Sequence, residues 1–368
     1  MNETGQKSIV IIHLGNGFAG PKITEALAVG LNQHARLLGV IVSNQLTDEF
    51  LEGASSISIL KISTYQNLLG FIAKLISPWK MLWSIKDFII EKNPDILMFP
   101  MQHALDLVLL RYISRSRISR NRIIISWVHD FNPHHGDSRI LARLMMRATL
   151  CFSDMIVVLS ENVFTGIRQY TNLPIIKIVH PVYQVQSPNR VKEANRNTVL
   201  FAGRMLKYKG IDRLSRAWPQ VLTKVPDAKL VVAGSGESKY IFEKFGKLNN
   251  VEIHSRYLEA NELDLLIMNS AVVVLPYSEA SQSGILAQAA SFKVPCVVTP
   301  VSGLIEQTEL YGGSTIAKSM SSNDFADSIV EMLLNEEQNN FQMEITNSWE
   351  NQCQSLIQQI SETQRKLK

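Results

Sequence analysis

The sequence predicts an α/β protein made of two doubly wound, Rossmann-like halves in tandem, and three observations predict it. Its 368 residues exceed what one hydrophobic core ordinarily serves. Short apolar runs alternate with helical patterns along most of the chain, the signature of βαβ units around a parallel sheet. The alternation dissolves once, in the polar stretch YQVQSPNRVKEANR at residues 183–196, and then restarts.

The strands follow in order. In the first half they are Ser8–Leu14, Ala35–Val42, Ile57–Ile62, Asp95–Phe99, Ile123–Trp127, Met155–Leu159 and Ile175–Val179. In the second they are Val199–Ala202, Lys229–Ala233, Val251–His254, Ala271–Leu275 and Cys296–Thr299. The last stretch is polar and helix-prone, with Phe341, Ile345, Trp349, Cys353 and Ile357 at helical spacing. The expected division is therefore a first Rossmann-like domain at 1–183, a linker at 184–197, a second Rossmann-like domain at 198–340 and a helix at 341–368 that could cross back to the first domain. Two such domains facing each other place a ligand cleft at the carboxyl ends of both sheets.

Composition narrows the class. Hydrophobic residues make up 46% and charged residues 19%, the balance of a globular protein. Three scattered cysteines, Cys151, Cys296 and Cys353, make neither a disulfide framework nor a zinc site, and suit a reducing compartment. The opening MNETGQKSIVIIHLG reads as a first strand, and nothing approaches the roughly 20 apolar residues that span a bilayer. The expectation is a cytoplasmic protein that could also lie on the inner face of a membrane. Residues 1–190 hold 19 Lys and Arg against 13 Asp and Glu, and the remainder 18 against 20, so the first half is the basic one. That asymmetry points to an anionic partner or surface, while the absence of an aromatic-basic platform argues against nucleic acid.

Two segments of the second half carry anion-binding chemistry. In FAGRMLKYKG (201–210) a strand ends, Gly203 lets the backbone turn, Arg204 and Lys209 follow, and a helix opens near Gly210. Backbone N–H groups, the helix dipole and two cations all favour phosphate oxygens there. In LPYSEASQSGILAQAASFKVP (275–295) a small-residue loop leads into a helix at which Gln282, Ser283 and Gly284 would present their N–H groups. The GSGE turn at 234–237 adds Gly234 after a third strand. Arg256 and Tyr257 follow a fourth and offer a guanidinium plane and a ring for stacking on a nucleobase.

The first half offers a complementary set. Strand Ile123–Trp127 delivers His129 and Asp130 to its carboxyl end, and His134 and His135 lie in the following loop, without zinc-site spacing. The loop HLGNGFAGPK (13–22) places Gly15, Gly17 and Gly20 after the first strand, where backbone can approach a ligand closely. Arg139, Arg143 and Arg147 line one face of a helix, able to hold a phosphate or a membrane surface. Residues 71–89 interleave Lys74, Lys80 and Lys86 with Phe71, Trp79, Trp83 and Phe88, which suits either docking on anionic lipid or ordinary amphipathic core helices.

The order and spacing of these motifs resemble glycosyltransferase family 4, the retaining nucleotide-sugar enzymes of the GT-B fold. In that family a Gly-Arg…Lys-Gly loop holds the donor diphosphate, matched here by Gly203, Arg204, Lys209 and Gly210. The resemblance also gives Gly234 and the Gln282–Gly284 turn to the donor, and gives His129 a contact with the donor sugar, oriented by Asp130. It places the Gly15 and Gly17 loop against the diphosphate and acceptor, and His134, His135, Arg139 and Arg143 fall on the acceptor side. The family's Glu-x7-Glu pair is absent, because its positions hold Ala280 and Gln288; Gln288 still offers a donor and an acceptor to ribose hydroxyls. Residues 301–306, VSGLIE, occupy the place of the family's Gly-Gly-x-x-Glu turn, with Glu306 either orienting the loop or standing as a surface carboxylate. Such enzymes need no catalytic base and no obligatory metal, since the cations stabilise the leaving diphosphate, which takes the acceptor proton. The resemblance implies transfer of a sugar from a nucleotide-diphosphate-sugar to a glycan or lipid-linked acceptor, with no cofactor. The residues leave open a non-catalytic nucleotide-sugar-binding scaffold, which the missing Glu pair favours, and a nucleotide-sugar epimerase of similar fold.

Overall fold

Two sheets, both parallel throughout, organise the chain. The computed structural model describes residues 6–15, 19–43, 46, 50–51, 56–65, 68–116, 118, 121–131, 138–182, 197–335 and 348–367. The first unit contains strands β1 (Ser8–His13), β2 (Arg36–Val42), β3 (Ser58–Lys61), β4 (Ile96–Phe99), β5 (Ile123–Val128), β6 (Met155–Val158) and β7 (Ile175–Lys177). Its helices are α1 (Ala19–His34), α2 (Leu68–Ile76), α3 (Trp79–Lys92), α4 (Asp106–Arg115), α5 (Arg139–Phe152) and α6 (Glu161–Arg168). The second unit contains β8 (Thr198–Ala202), β9 (Lys229–Gly234), β10 (Val251–Ser255), β11 (Val272–Leu275), β12 (Cys296–Val298) and β13 (Thr315–Ile316). Between them run α7 (Ile211–Lys224), α8 (Ser238–Phe245), α9 (Ala260–Met268), α10 (Gly284–Ser291), α11 (Ser302–Tyr311) and α12 (Ser322–Leu334).

The first sheet runs β3-β2-β1-β4-β5-β6-β7 and the second β10-β9-β8-β11-β12-β13. β1, β4, β6, β8 and β11 are buried along their whole length, so they read as unbroken apolar runs, as strands covered on both faces do. Strand order reverses at β1/β4 in one sheet and at β8/β11 in the other, and in open α/β sheets ligands bind beyond the carboxyl ends at such points. Serines cap the helices that follow β5, β6 and β11: Ser138 accepts from the Leu141 N–H, Ser160 from Val163 and Ser283 from Leu286.

The last helix, α13 (Trp349–Leu367), belongs to the first unit and packs on α1. Its buried line is Trp349, Cys353, Leu356 and Ile360 rather than one ending at Ile357, which is only partly buried. The Trp349 ring stacks on that of Trp127, with centroids 6.2 Å apart. A Cβ at Gly30 would lie 2.7 Å from the Cys353 sulfur, so that glycine permits the helix contact. Phe341, Ile345 and the expected linker 184–197, except Asn197, lie outside the described residues.

Candidate functional site

In the second unit the loops after β8 and β11 straddle the switch point and are tied together. Gly203 takes φ +120°, and its N–H donates to the Ala233 carbonyl. Gly234, φ +143°, comes so close that a Cβ on it would sit 1.9 Å from the Gly203 oxygen. A 3-10 turn, Lys207–Lys209, leads to Gly210 at φ +77°, whose Cβ would meet the Pro276 oxygen at 1.7 Å. The Ser278 N–H and hydroxyl both donate to the Tyr208 carbonyl, at 2.8 and 3.1 Å. Arg213, in the first turn of α7, donates to the carbonyls of Pro276 and Tyr277. The two loops therefore form one rigid rim.

That rim presents two cations. Lys209 places its ammonium 3.7 Å from the centroid of the Tyr277 ring, a buried aromatic that fixes the direction of the lysine chain. Arg204 is exposed, and no hydrogen bond or ion pair engages its side chain among the described residues. A guanidinium left uncommitted on a rigid loop is placed to receive an anion.

The helix start at α10 differs in part from the sequence expectation. Gly284 stands in open space, with nothing within 4 Å of where a Cβ would project. The Ser283 N–H, however, donates to Gln307 Oε1 at 2.6 Å and is not offered outward. Residues 302–306 lie inside α11 rather than in a turn, and Gln307, one residue past Glu306, is the side chain that grips Ser283. Gly303 lets the Ala280–Ser281 backbone pass, since its Cβ would meet the Ser281 oxygen at 2.3 Å. The Gln282 amide oxygen is buried without a partner. Gln288 is buried too, and its amide donates to the Asp264 carboxylate on α9. Arg256 forms a forked pair with Glu262, which holds its plane in place, while Tyr257 beside it is 54% exposed. Neither Gln307 nor Asp264 stands out in the sequence, because each contact spans 24 residues and no local motif marks it.

In the first unit the switch point gathers three histidines. His13 ends β1, His103 follows β4 and His129 follows β5. The His129 Nε2 lies 2.7 Å from the Pro100 carbonyl. A carbonyl can only accept, so Nε2 carries the proton and Nδ1 keeps a buried lone pair that has no partner among the described residues. The carbonyl thus sets the ring orientation expected of Asp130, whose carboxylate acts on the imidazole through charge. Burial holds the His129 pKa below its ordinary value.

His13 carries no signal of its own in the sequence, where it reads as the end of an apolar strand. It is 3% exposed, and neither ring nitrogen has a partner. Its ring explains two glycines: a Cβ at Gly15 or Gly20 would lie 2.7 or 2.1 Å from it. The close approach expected at Gly15 is thus made by this ring. Burial first, then repulsion from His103 and His129, brings the His13 pKa down to about 4. His103 accepts from the Leu105 N–H through Nδ1 and meets the Tyr65 hydroxyl at 2.9 Å, and burial takes its pKa to about 4 as well. Asp106 accepts from the His103 N–H at 2.7 Å, and burial pushes its carboxyl up to about 8. The cluster is uncharged at neutral pH, and its imidazoles suit hydroxyl groups better than anions. Arg139 and Arg143 are exposed on α5, while Gly17, His134 and His135 lie outside the described residues.

Residues 196–335 match the family Glycosyl transferases group 1. That span holds the second sheet and both loops of the cationic rim. An uncharacterised glycosyltransferase of Haemophilus influenzae is 23% identical over 225 residues, 61% of this chain. The chain spans 62% of that relative's length. Among solved structures, HepE of Anabaena in complex with UDP and glucose superposes with a TM-score of 0.66 at 15% identity, covering 98% of this chain and 99% of that one. Sucrose-phosphate synthase from Thermosynechococcus elongatus gives 0.68 at 13% identity, over 98% and 99%. The fold is GT-B.

Proposed function

We propose that the chain is a retaining glycosyltransferase that moves a sugar from a nucleotide-diphosphate-sugar to a glycan or lipid-linked acceptor. The observation that carries this reading is the rim at the β8/β11 switch point, where Arg204 and Lys209 stand at a helix start on the loop after β8, interlocked with the loop after β11. Such a rim suits a diphosphate and costs no reorganisation when charge develops on it. In the proposed step the bond from the anomeric carbon to the diphosphate oxygen breaks. The acceptor oxygen bonds that carbon on the same face, and its proton passes to the departing diphosphate. Arg204 and Lys209 stabilise the charge left behind. The unpartnered Nδ1 of His129 accepts a substrate hydroxyl, and Gly203, Gly234 and Gly284 admit the donor close to backbone. No metal and no cofactor enters this scheme.

HepE is described with UDP-glucose, so uridine diphosphate sugars open the donor panel. The test is thermal shift across nucleotide sugars, followed by turnover of the hits with lipid-linked acceptors. A donor at about one hundred times its Kd should stabilise the protein by about 2.7 kcal/mol, a shift of several degrees. Arg204→Ala and Lys209→Ala should each abolish most of it. Full stabilisation retained in both variants would remove the diphosphate assignment, and binding without turnover would favour the scaffold reading.

A further inference from the structure

We propose that the first unit docks on an anionic lipid bilayer through the outward face of α2, α3 and α5. This goes beyond the transferase reading and does not depend on it.

The topology puts these helices on one side. The connections β3 to β4, β4 to β5 and β5 to β6 all step in the same direction across the sheet, and right-handed crossovers then lay α2, α3, α4 and α5 on the same face. The step from β1 to β2 runs the other way, so α1 covers the opposite face, where α13 packs on it.

On that shared side the structure separates aromatic residues that the sequence left interleaved. Phe71 and Phe88 turn inward and pack against the core. Trp79 and Trp83, one turn apart on α3, remain 53% and 57% exposed, although Met81, Leu82, Ile85 and Ile89 of the same helix are buried. On α2, Leu69 and Ile76 are 78% and 76% exposed. On α5, Ile140 and Leu144, again one turn apart, are 74% and 50% exposed. Large apolar side chains in such a concentration mark an interaction surface.

Charge identifies the occupant. Residues 68–92 carry Lys74, Lys80, Lys86 and Lys92 against Asp87 and Glu91, and α5 carries Arg139, Arg143 and Arg147 with no acidic residue. The three arginines are exposed and flank Ile140 and Leu144. Tryptophan prefers the headgroup boundary, and adjacent cations are drawn to anionic lipid, so one face bears both signals for stable peripheral binding. A symmetric pairing of two copies would instead set arginines against arginines. Among the described residues no helix is long and apolar enough to cross a membrane, so the contact is one of surface docking.

The test is flotation of the full chain, without nucleotide sugar, on phosphatidylcholine vesicles with and without about one third phosphatidylglycerol. The chain should float with the anionic vesicles alone, and less so as salt rises. The double variant Trp79→Ser/Trp83→Ser should lower partitioning on the order of tenfold. Arg143→Gln/Arg147→Gln should lower it about thirtyfold at low salt. All four positions are exposed, and circular dichroism checks that both variants fold. No flotation on anionic vesicles at low salt, or equal flotation of both variants, overturns the proposal. So does a dimer in light scattering that the tryptophan variant dissociates, which would give the face to a second copy. Because donor is absent throughout, failure here leaves the thermal-shift result standing, and the reverse holds too.

Discussion

A methyl group at Gly210 would meet the Pro276 oxygen at 1.7 Å, on a backbone already at φ +77°. Neither the left-handed conformation nor the close approach can relax without parting the two loops of the rim. Gly210→Ala should therefore cost about 2–4 kcal/mol in urea unfolding and weaken nucleotide-sugar binding together with stability. Gly203 offers the internal comparison. It too has positive φ, yet its Cβ would find Ile285 at an ordinary 3.8 Å, so Gly203→Ala should cost only the conformational strain, about 1–2 kcal/mol. Equal costs at the two positions would mean that the Pro276 contact contributes nothing.

Among elements, the clearest case is the junction of α10 and α11. Gln307 accepts from the buried Ser283 N–H and also reaches the Ser283 carbonyl, while Tyr311 beside it donates to the His180 carbonyl at 2.6 Å. Gln307→Leu leaves that N–H without a partner and should cost about 1–3 kcal/mol, whereas Gln307→Glu keeps an acceptor and should cost less in the same unfolding assay. The strands and the glycine turns were legible in the sequence because each is written locally. An apolar run ends and a glycine follows, so Val199–Ala202 and Lys229–Ala233 differ from the observed strands by one residue at one end. Strand β13 leaves no mark in the sequence because two residues make no pattern. The site was half legible for the same reason. Arg204 and Lys209 sit beside their turn, but Gln307, Asp264, His13 and His103 gain their meaning from partners distant in sequence.

For the molecule as a whole, the histidine cluster sets a dependence on acidity. His13 has an ordinary pKa of 6.5, brought down to about 4 in the folded chain. As pH falls between those values the unfolded chain takes up a proton that the folded chain refuses, so stability is lost in that window. Asp106 works the other way: its carboxyl ordinarily titrates at 3.8 but holds its proton to about 8, so stability declines as pH rises across that range. Urea midpoints measured from pH 4 to 8 should fall at both ends. His13→Asn should flatten the acid limb by up to about 3 kcal/mol, and Asp106→Asn should flatten the alkaline limb. A wild-type acid limb that His13→Asn leaves unchanged would show that another group sets it.

The return of α13 to α1 has a consequence for biosynthesis. The second unit is complete once Ser348 has left the ribosome, while the first still lacks the helix whose Trp349 covers Trp127 and whose Cys353 lies against Gly30. Domains usually mature in the order they are translated. In this chain the half that begins first is the last to be closed.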